Sequence, residues 1–156
     1  MMIIVCSEEK QSALLFCVEK AKLGHTVLFL CTDKVSAEKE VSEDMGEAVL
    51  SRIQIKYVQH IDALNSFCAS FHLLSRQPEI LVVDRIEPLF STQKDDERLY
   101  LTGLSFSLGL LESAAEFQSQ ICKKEGKKSL TALFTSKPRR GQDRVSSLFQ
   151  RLITSD

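Results

Sequence analysis

Ile80-Leu81-Val82-Val83-Asp84 decides the fold class. Four aliphatic residues in a row, closed by an acid, read as a strand buried on both faces, because a strand with one wet face alternates. Upstream, Val27-Leu28-Phe29-Leu30-Cys31 and Met2-Ile3-Ile4-Val5-Cys6 read the same way, and Leu130-Thr131-Ala132-Leu133-Phe134 does so downstream. Ile53, Ile55 and Tyr57 alternate with polar residues and mark one more strand. Helical spacing fills the gaps. Leu14, Leu15, Val18 and Ala21 form one apolar face, with Ser7 as its cap, Glu8 and Glu9 in its first turn, and Gly24 ending it. Ile61, Leu64, Phe67, Cys68, Phe71 and Leu74 form a second, stopped by Gln77-Pro78. A long helix is expected over about 99–122, with Leu101, Leu104, Leu108, Leu111 and Ala115 on one side. Phe106, Leu110 and Phe117 lie off that stripe, so this helix should be covered on more than one face. Val145, Leu148, Phe149, Leu152 and Ile153 space a last amphipathic helix, while residues 33–48 read as a surface loop or weak helix. Strands alternating with helices give an α/β domain: a mostly parallel sheet with helices on both faces.

The chain has 156 residues, enough for one domain with a real core. Hydrophobic residues make up 44% and charged residues 26%, which excludes a disordered or fibrous chain. A net charge of −1 leaves a nucleic-acid surface only by local segregation of charge. The five cysteines form no C-x-x-C pair, so a reducing, intracellular compartment is expected and a zinc site is not. No segment has the length needed to span a membrane.

Ligands of parallel sheets bind beyond the carboxyl ends of the strands. After the first strand a phosphate loop would need G-x-x-x-x-G-K-[ST], with glycines to wrap the phosphates, a lysine to neutralise them and a hydroxyl for magnesium. The stretch here is Val5-Cys6-Ser7-Glu8-Glu9-Lys10-Gln11-Ser12. Ser12 can supply the hydroxyl, but Gln11 stands for the lysine, Lys10 is one residue out of register, and no glycine is present. Glu8 and Glu9 put negative charge where phosphates would sit. The phosphate loop is degenerate, and neither ATP nor magnesium is expected as a cofactor. Lys10, Gln11, Ser12 and Asp84 then mark a vestigial nucleotide site, with Asp84 free to hold Arg85 or a neighbouring turn. No catalytic triad and no metal site can be argued from the few histidines.

Lys137, Arg139, Arg140 and Arg144 crowd around Pro138 and Gly141 after the last strand. Composition alone reads them as a solvated connection. Lys123, Lys124, Lys127 and Lys128 stand at the end of the long helix, where cations suit the helix dipole, and contact with DNA is the second reading of this group.

The order of elements resembles the RecA-type recombinase core, in which an acid-ended strand, a long helix, a further strand and a DNA-binding loop follow one another. The chain is also similar to the small recombinase-paralogue subunits of the animal Shu complex. Ser12-Ala13-Leu14-Leu15-Phe16, Val27-Leu28-Phe29-Leu30, Ile53–Tyr57, Ile80–Asp84, the helical stretch 108–117 and Ser147-Leu148-Phe149-Gln150-Arg151 carry the likeness in order and spacing. It implies one RecA-like domain over 1–156, short at its C-terminus for that fold. It implies a non-catalytic subunit of a homologous-recombination complex, acting in the nucleus. Its partners would be the SWIM-domain zinc-binding subunit, the recombinase and its paralogues, and single-stranded DNA. The family's second DNA loop maps onto Lys137, Arg139, Arg140 and Arg144, which turns these from a solvated connection into DNA-binding candidates. Family members with an intact phosphate loop carry ATPase activity, which the degenerate loop here does not support. Two other classes compete: an ATPase with an unconventional site using Lys10, Ser12 and Asp84, and a protein–protein adaptor without nucleic-acid function.

Overall fold

The computed structural model describes residues 2–7, 13–32, 46–86, 88–90 and 97–136. The strands are β1 (Met2–Ser7), β2 (Val27–Cys31), β3 (Ile53–Tyr57), β4 (Ile80–Asp84) and β5 (Leu130–Ser136). The helices are α1 (Ala13–Lys22), the single turn α2 (Glu47–Leu50), α3 (Ile61–Ala69) and α4 (Glu97–Lys124), with a 3₁₀ turn at Phe71–Leu73. The five strands form one sheet in the order β1-β5-β4-β2-β3, and every pairing is parallel. The connections β1→β2 and β2→β3 move one way along the sheet, with α1 and α2 on one face. β3→β4 and β4→β5 move back, with α3 and α4 on the other. Reversing direction and face together keeps the crossover hand uniform, as parallel strands require.

Alternate residues of the central strands feed the two cores. Val27, Phe29, Ile80, Val82, Ala132 and Phe134 meet Leu14, Cys17 and Ala21 of α1. Leu28, Leu30, Leu81, Val83 and Leu133 meet Leu64, Phe67, Phe71, Leu104, Leu108 and Leu111 of the other layer. Both faces being covered is why these strands carry unbroken aliphatic runs. β3 is an edge strand: Gln54, Lys56 and Tyr57 are exposed and only Ile53 and Ile55 are partly buried, so it alternates.

Two helices end the same way. Gly24 has φ 95° after α1, with its N–H on the Ala21 carbonyl and the His25 N–H on the Lys20 carbonyl. Gly126 has φ 70° after α4, with its N–H on Lys123 and the Lys127 N–H on Cys122. Both are Schellman caps, which need a residue in the left-handed region and so place glycine there.

The structure corrects two expectations. The helix expected from Ile61 to Leu74 stops at Ala69 and is followed by the 3₁₀ turn. Ser70 turns its hydroxyl back onto the carbonyls of Ser66 and Phe67, at 2.8 and 3.2 Å, and Gln77 Nε2 donates to the Phe71 carbonyl at 3.0 Å. These side chains satisfy backbone groups that a continued helix would have used. The helix α4 runs 97–124, longer than expected, and Phe106 and Leu99 are each 60% exposed. Leu101, Leu110 and Phe117 are partly buried against the core. The amphipathic stretch 145–153 and residues 33–45 lie outside the described residues. No described helix is long and apolar enough to cross a membrane.

Two polar residues interrupt the buried stripe of α4. The Ser107 hydroxyl donates to the Gly103 carbonyl within the helix at 2.9 Å. Gln118 is fully buried; its Nε2 donates to the Pro78 carbonyl at 2.9 Å and its Oε1 accepts from the Thr131 hydroxyl at 3.0 Å. It ties the helix to β5 and to the residue pair that leads into β4. Gln118→Leu strands the Thr131 hydroxyl and leaves the Pro78 carbonyl with the Cys122 thiol at 3.8 Å. A loss of about 1–3 kcal/mol in urea unfolding is expected, partly recovered by adding Thr131→Val, which removes the stranded hydroxyl.

Candidate functional site

The strand order places a crevice at the carboxyl end of the sheet. The connection leaving β1 passes to one face and the connection leaving β4 passes to the other, with β5 between them. Parallel α/β sheets bind ligands where neighbouring connections part in this way. Ser7 and Ser136 are register partners at the ends of β1 and β5, and Asp84 pairs with Phe134 two residues earlier on β5. The chain leaving Ser7 carries Lys10, Gln11 and Ser12, and the chain leaving Ser136 carries Lys137, Arg139, Arg140 and Arg144. These seven candidates lie outside the described residues; what the fold establishes is that both segments start side by side at this end of the sheet.

Asp84 is the candidate that the structure describes. It continues the parity of Ile80 and Val82, whose side chains pack toward α1. Its carboxylate is mostly buried, with Oδ1 at 3.3 Å from Arg85 Nε and Oδ2 accepting from Arg85 Nη2 at 3.5 Å. Arg85 has φ 40°, a left-handed conformation that a bulky residue rarely adopts. Its N–H still donates to the Phe134 carbonyl at 3.0 Å. The backbone thus turns sharply out of β4 while keeping one bond to β5, and this turn lays the guanidinium back over the acid beside it. A cavity of about 10 Å³, lined by Leu30, Thr32, Val58, Val83, Asp84 and Ile86 among others, lies beside it. It admits about one water.

This donor set does not fit magnesium and a nucleotide. A guanidinium bound to the Asp84 carboxylate competes with a divalent cation for the same oxygens. In sequence, the stretch that follows β1 carries Glu8, Glu9 and Gln11 where a phosphate loop carries glycines and lysine. Among the described residues no three His, Cys, Asp or Glu side chains gather to hold a metal ion.

Two buried cysteines are held in their neutral thiol form. Burial pushes the Cys17 thiol up, and the Asp84 charge adds to the effect. Burial pushes the Cys68 thiol up to about 12. Raised folded values mean that the unfolded chain gives up its thiol protons first. Stability is therefore fully present below about pH 9 and is lost as pH rises toward 12, by about 1.4 kcal/mol per pH unit for each such thiol. Urea midpoints that fall between pH 9 and 11, and fall less steeply in Cys68→Ala, are the expected result.

Sequence reading missed a polar cluster at the opposite end of the sheet. His25 Nδ1 lies 2.8 Å from Glu79 Oε2, and Lys127 Nζ lies 3.6 Å from Glu79 Oε1 and 2.9 Å from Glu125 Oε2. The signal was positional: His25, Glu79 and Lys127 each stand just ahead of β2, β4 or β5, three neighbouring strands.

No protein-family model and no curated protein matches the chain. Among solved structures it is similar to the crystal structure of the RadB recombinase, with a TM-score of 0.59 and 13% sequence identity. The core is RecA-like. The match takes in 92% of this chain and 65% of the RadB chain, so the described RecA-like core corresponds to part of that protein's length. In this RecA-like core Asp84 closes the strand one removed from β1, and β5 runs between them.

Proposed function

We propose that this chain is a non-catalytic recombinase-paralogue subunit of a heteromeric homologous-recombination DNA-repair complex, of the small-subunit type found in the animal Shu complex. It binds single-stranded DNA through Lys137, Arg139, Arg140 and Arg144 and supports assembly or stability of the recombinase filament. Its partners in this reading are the SWIM-domain zinc-binding subunit, the recombinase and its paralogues, and it acts in the nucleus. What supports the reading is a RecA-like fold in which Asp84 pairs with Arg85 and the sequence after β1 carries Glu8, Glu9 and Gln11 in place of phosphate-loop glycines and lysine. A RecA-like fold with a degenerate phosphate loop fits an accessory role.

Co-expression with the SWIM-domain protein tests it. The two chains should co-purify in equal amounts, and the pair should bind oligothymidylate in a salt-dependent manner. A chain that purifies alone beside that protein, or a pair without DNA affinity, overturns the assignment. Magnesium-ATP should leave the melting temperature unchanged; a saturable rise, about 2.7 kcal/mol at a hundredfold excess over Kd, would mark a working nucleotide site instead.

A further inference from the structure

The end of the sheet where the strands begin is strongly basic. The helices α1 and α4 run back against the strands, so their last turns arrive here with Lys20, Lys22, Lys123 and Lys124. Arg52 leads into β3, Arg76 lies in the approach to β4, and Lys127 and Lys128 lead into β5. Against these eight cations stand Glu19, Glu47, Glu79 and Glu125 among the described residues, an excess of four positive charges at one end of a chain whose net charge is −1.

Part of this charge is already used. Lys127 bridges Glu79 and Glu125, and His25 takes the other oxygen of Glu79. Arg52 Nη1 donates to the Gly24 carbonyl at 2.6 Å, and Lys20 lies over the Phe16 ring at 5.1 Å. Lys22, Arg76, Lys123, Lys124 and Lys128 remain exposed, with no ion pair to an acid among the described residues. Compensation of the helix dipoles accounts for cations in the last turns. It does not account for Arg76 and Lys128, which stand outside any helix.

We propose that this basic rim is a second nucleic-acid surface, taking the phosphodiester backbone of a single strand without reading its bases. The inference rests on the reading of the chain as a DNA-binding subunit. Four adjacent strands at about 4.8 Å spacing spread the cations over roughly 15 Å, a span that suits a repeating anion. No exposed Phe or Tyr ring lies at this end among the described residues, and the exposed His72 ring is edge-on to Phe117, so bases find little stacking platform. β5 begins at the rim and ends at Ser136, about 20 Å away for a seven-residue strand, and the segment 137–144 follows there in sequence. The contributions of rim and segment are therefore independent.

Anisotropy of labelled oligothymidylate on the full chain, alone and with its partner, over a salt series tests the rim. Lys123→Gln, Lys124→Gln and Lys128→Gln together keep the aliphatic stems and spare Lys127, which has a structural partner. The log–log salt slope should flatten by about 2 and affinity at about 0.1 M salt should drop roughly a hundredfold, with an unchanged melting temperature. If the triple variant melts early, Lys128→Gln alone should still flatten the slope by about 0.7. An unchanged slope in a wild-type protein that binds DNA overturns the rim and leaves the proposed function standing. A wild-type chain that binds no DNA, alone or with its partner, overturns both. Phosphatidylserine vesicles competing as well as oligothymidylate at equal charge would reassign the rim to membranes.

Discussion

Phe71→Ala should lower the free energy of unfolding by about 3–5 kcal/mol. Phe71 is 1% exposed in the 3₁₀ turn, its ring edge-on to Phe67 at 5.8 Å between centroids. It packs in the core shared by α3, α4 and the sheet, and it is held there by a turn whose carbonyl Gln77 caps. Alanine leaves a ring-sized void where three elements meet, and rigid strands beneath it cannot collapse to fill it. Domains of this size have about 5–15 kcal/mol in total, so the loss is a large fraction of what holds the fold. Leu73→Ala, two residues on and 73% exposed, is the control and should change stability by less than about 0.5 kcal/mol. Equal urea midpoints for wild type and Phe71→Ala would mean that the turn does not anchor α3 against α4.

Arg139→Ala with Arg140→Ala should flatten the salt dependence of single-strand binding by about 1.4 in the log–log slope, at about 0.7 per lost phosphate contact. Affinity at about 0.1 M salt should drop roughly twentyfold. Both residues are in the short segment that follows Ser136, at the carboxyl end of β5. Nothing apolar in that segment offers a base-stacking surface, so the loss should be uniform across oligonucleotide sequences. Gln142→Ala, a neutral change in the same segment, should leave binding intact. Full affinity and slope in the double variant would remove this segment from the DNA surface while leaving the partner interaction to be judged by co-purification.

The sheet was legible because its strands are covered twice. Leu81 and Val82 point to opposite faces and both are fully buried, so no polar residue was tolerated between them and the run stayed aliphatic. Gly24 was legible because only a left-handed residue closes that cap. The break at Ser70 was not, since Phe71 and Leu74 keep the helical period of Ile61 and Leu64 while the backbone leaves it. Nor were Ile86, Leu89 and Phe90, which are buried against Tyr100 and Leu104 in a stretch bounded by polar residues. Gln118 stands at helical spacing from Leu111, Ala115 and Cys122, so its place in the buried stripe could have been read; its partners Pro78 and Thr131 could not. At the candidate site, Asp84 was legible as the end of a strand and Arg85 as a residue it could hold. The left-handed turn at Arg85 that brings the guanidinium back is what no local pattern announces.

The order of strands also sets a schedule for synthesis. Of the described strands β1 is synthesised before the others, and among them its neighbour is β5 alone: Met2 sits beside Thr131 and Ser7 beside Ser136. About 130 residues separate the partners, which takes roughly 6–25 s at usual elongation rates. For that whole interval Met2-Ile3-Ile4-Val5-Cys6 is an uncharged apolar segment without its partner among the described strands. Such a segment is the part of a nascent chain that chaperones hold and that aggregates capture. The N-terminal strand is thus the oldest piece of the sheet and the last to be built into it.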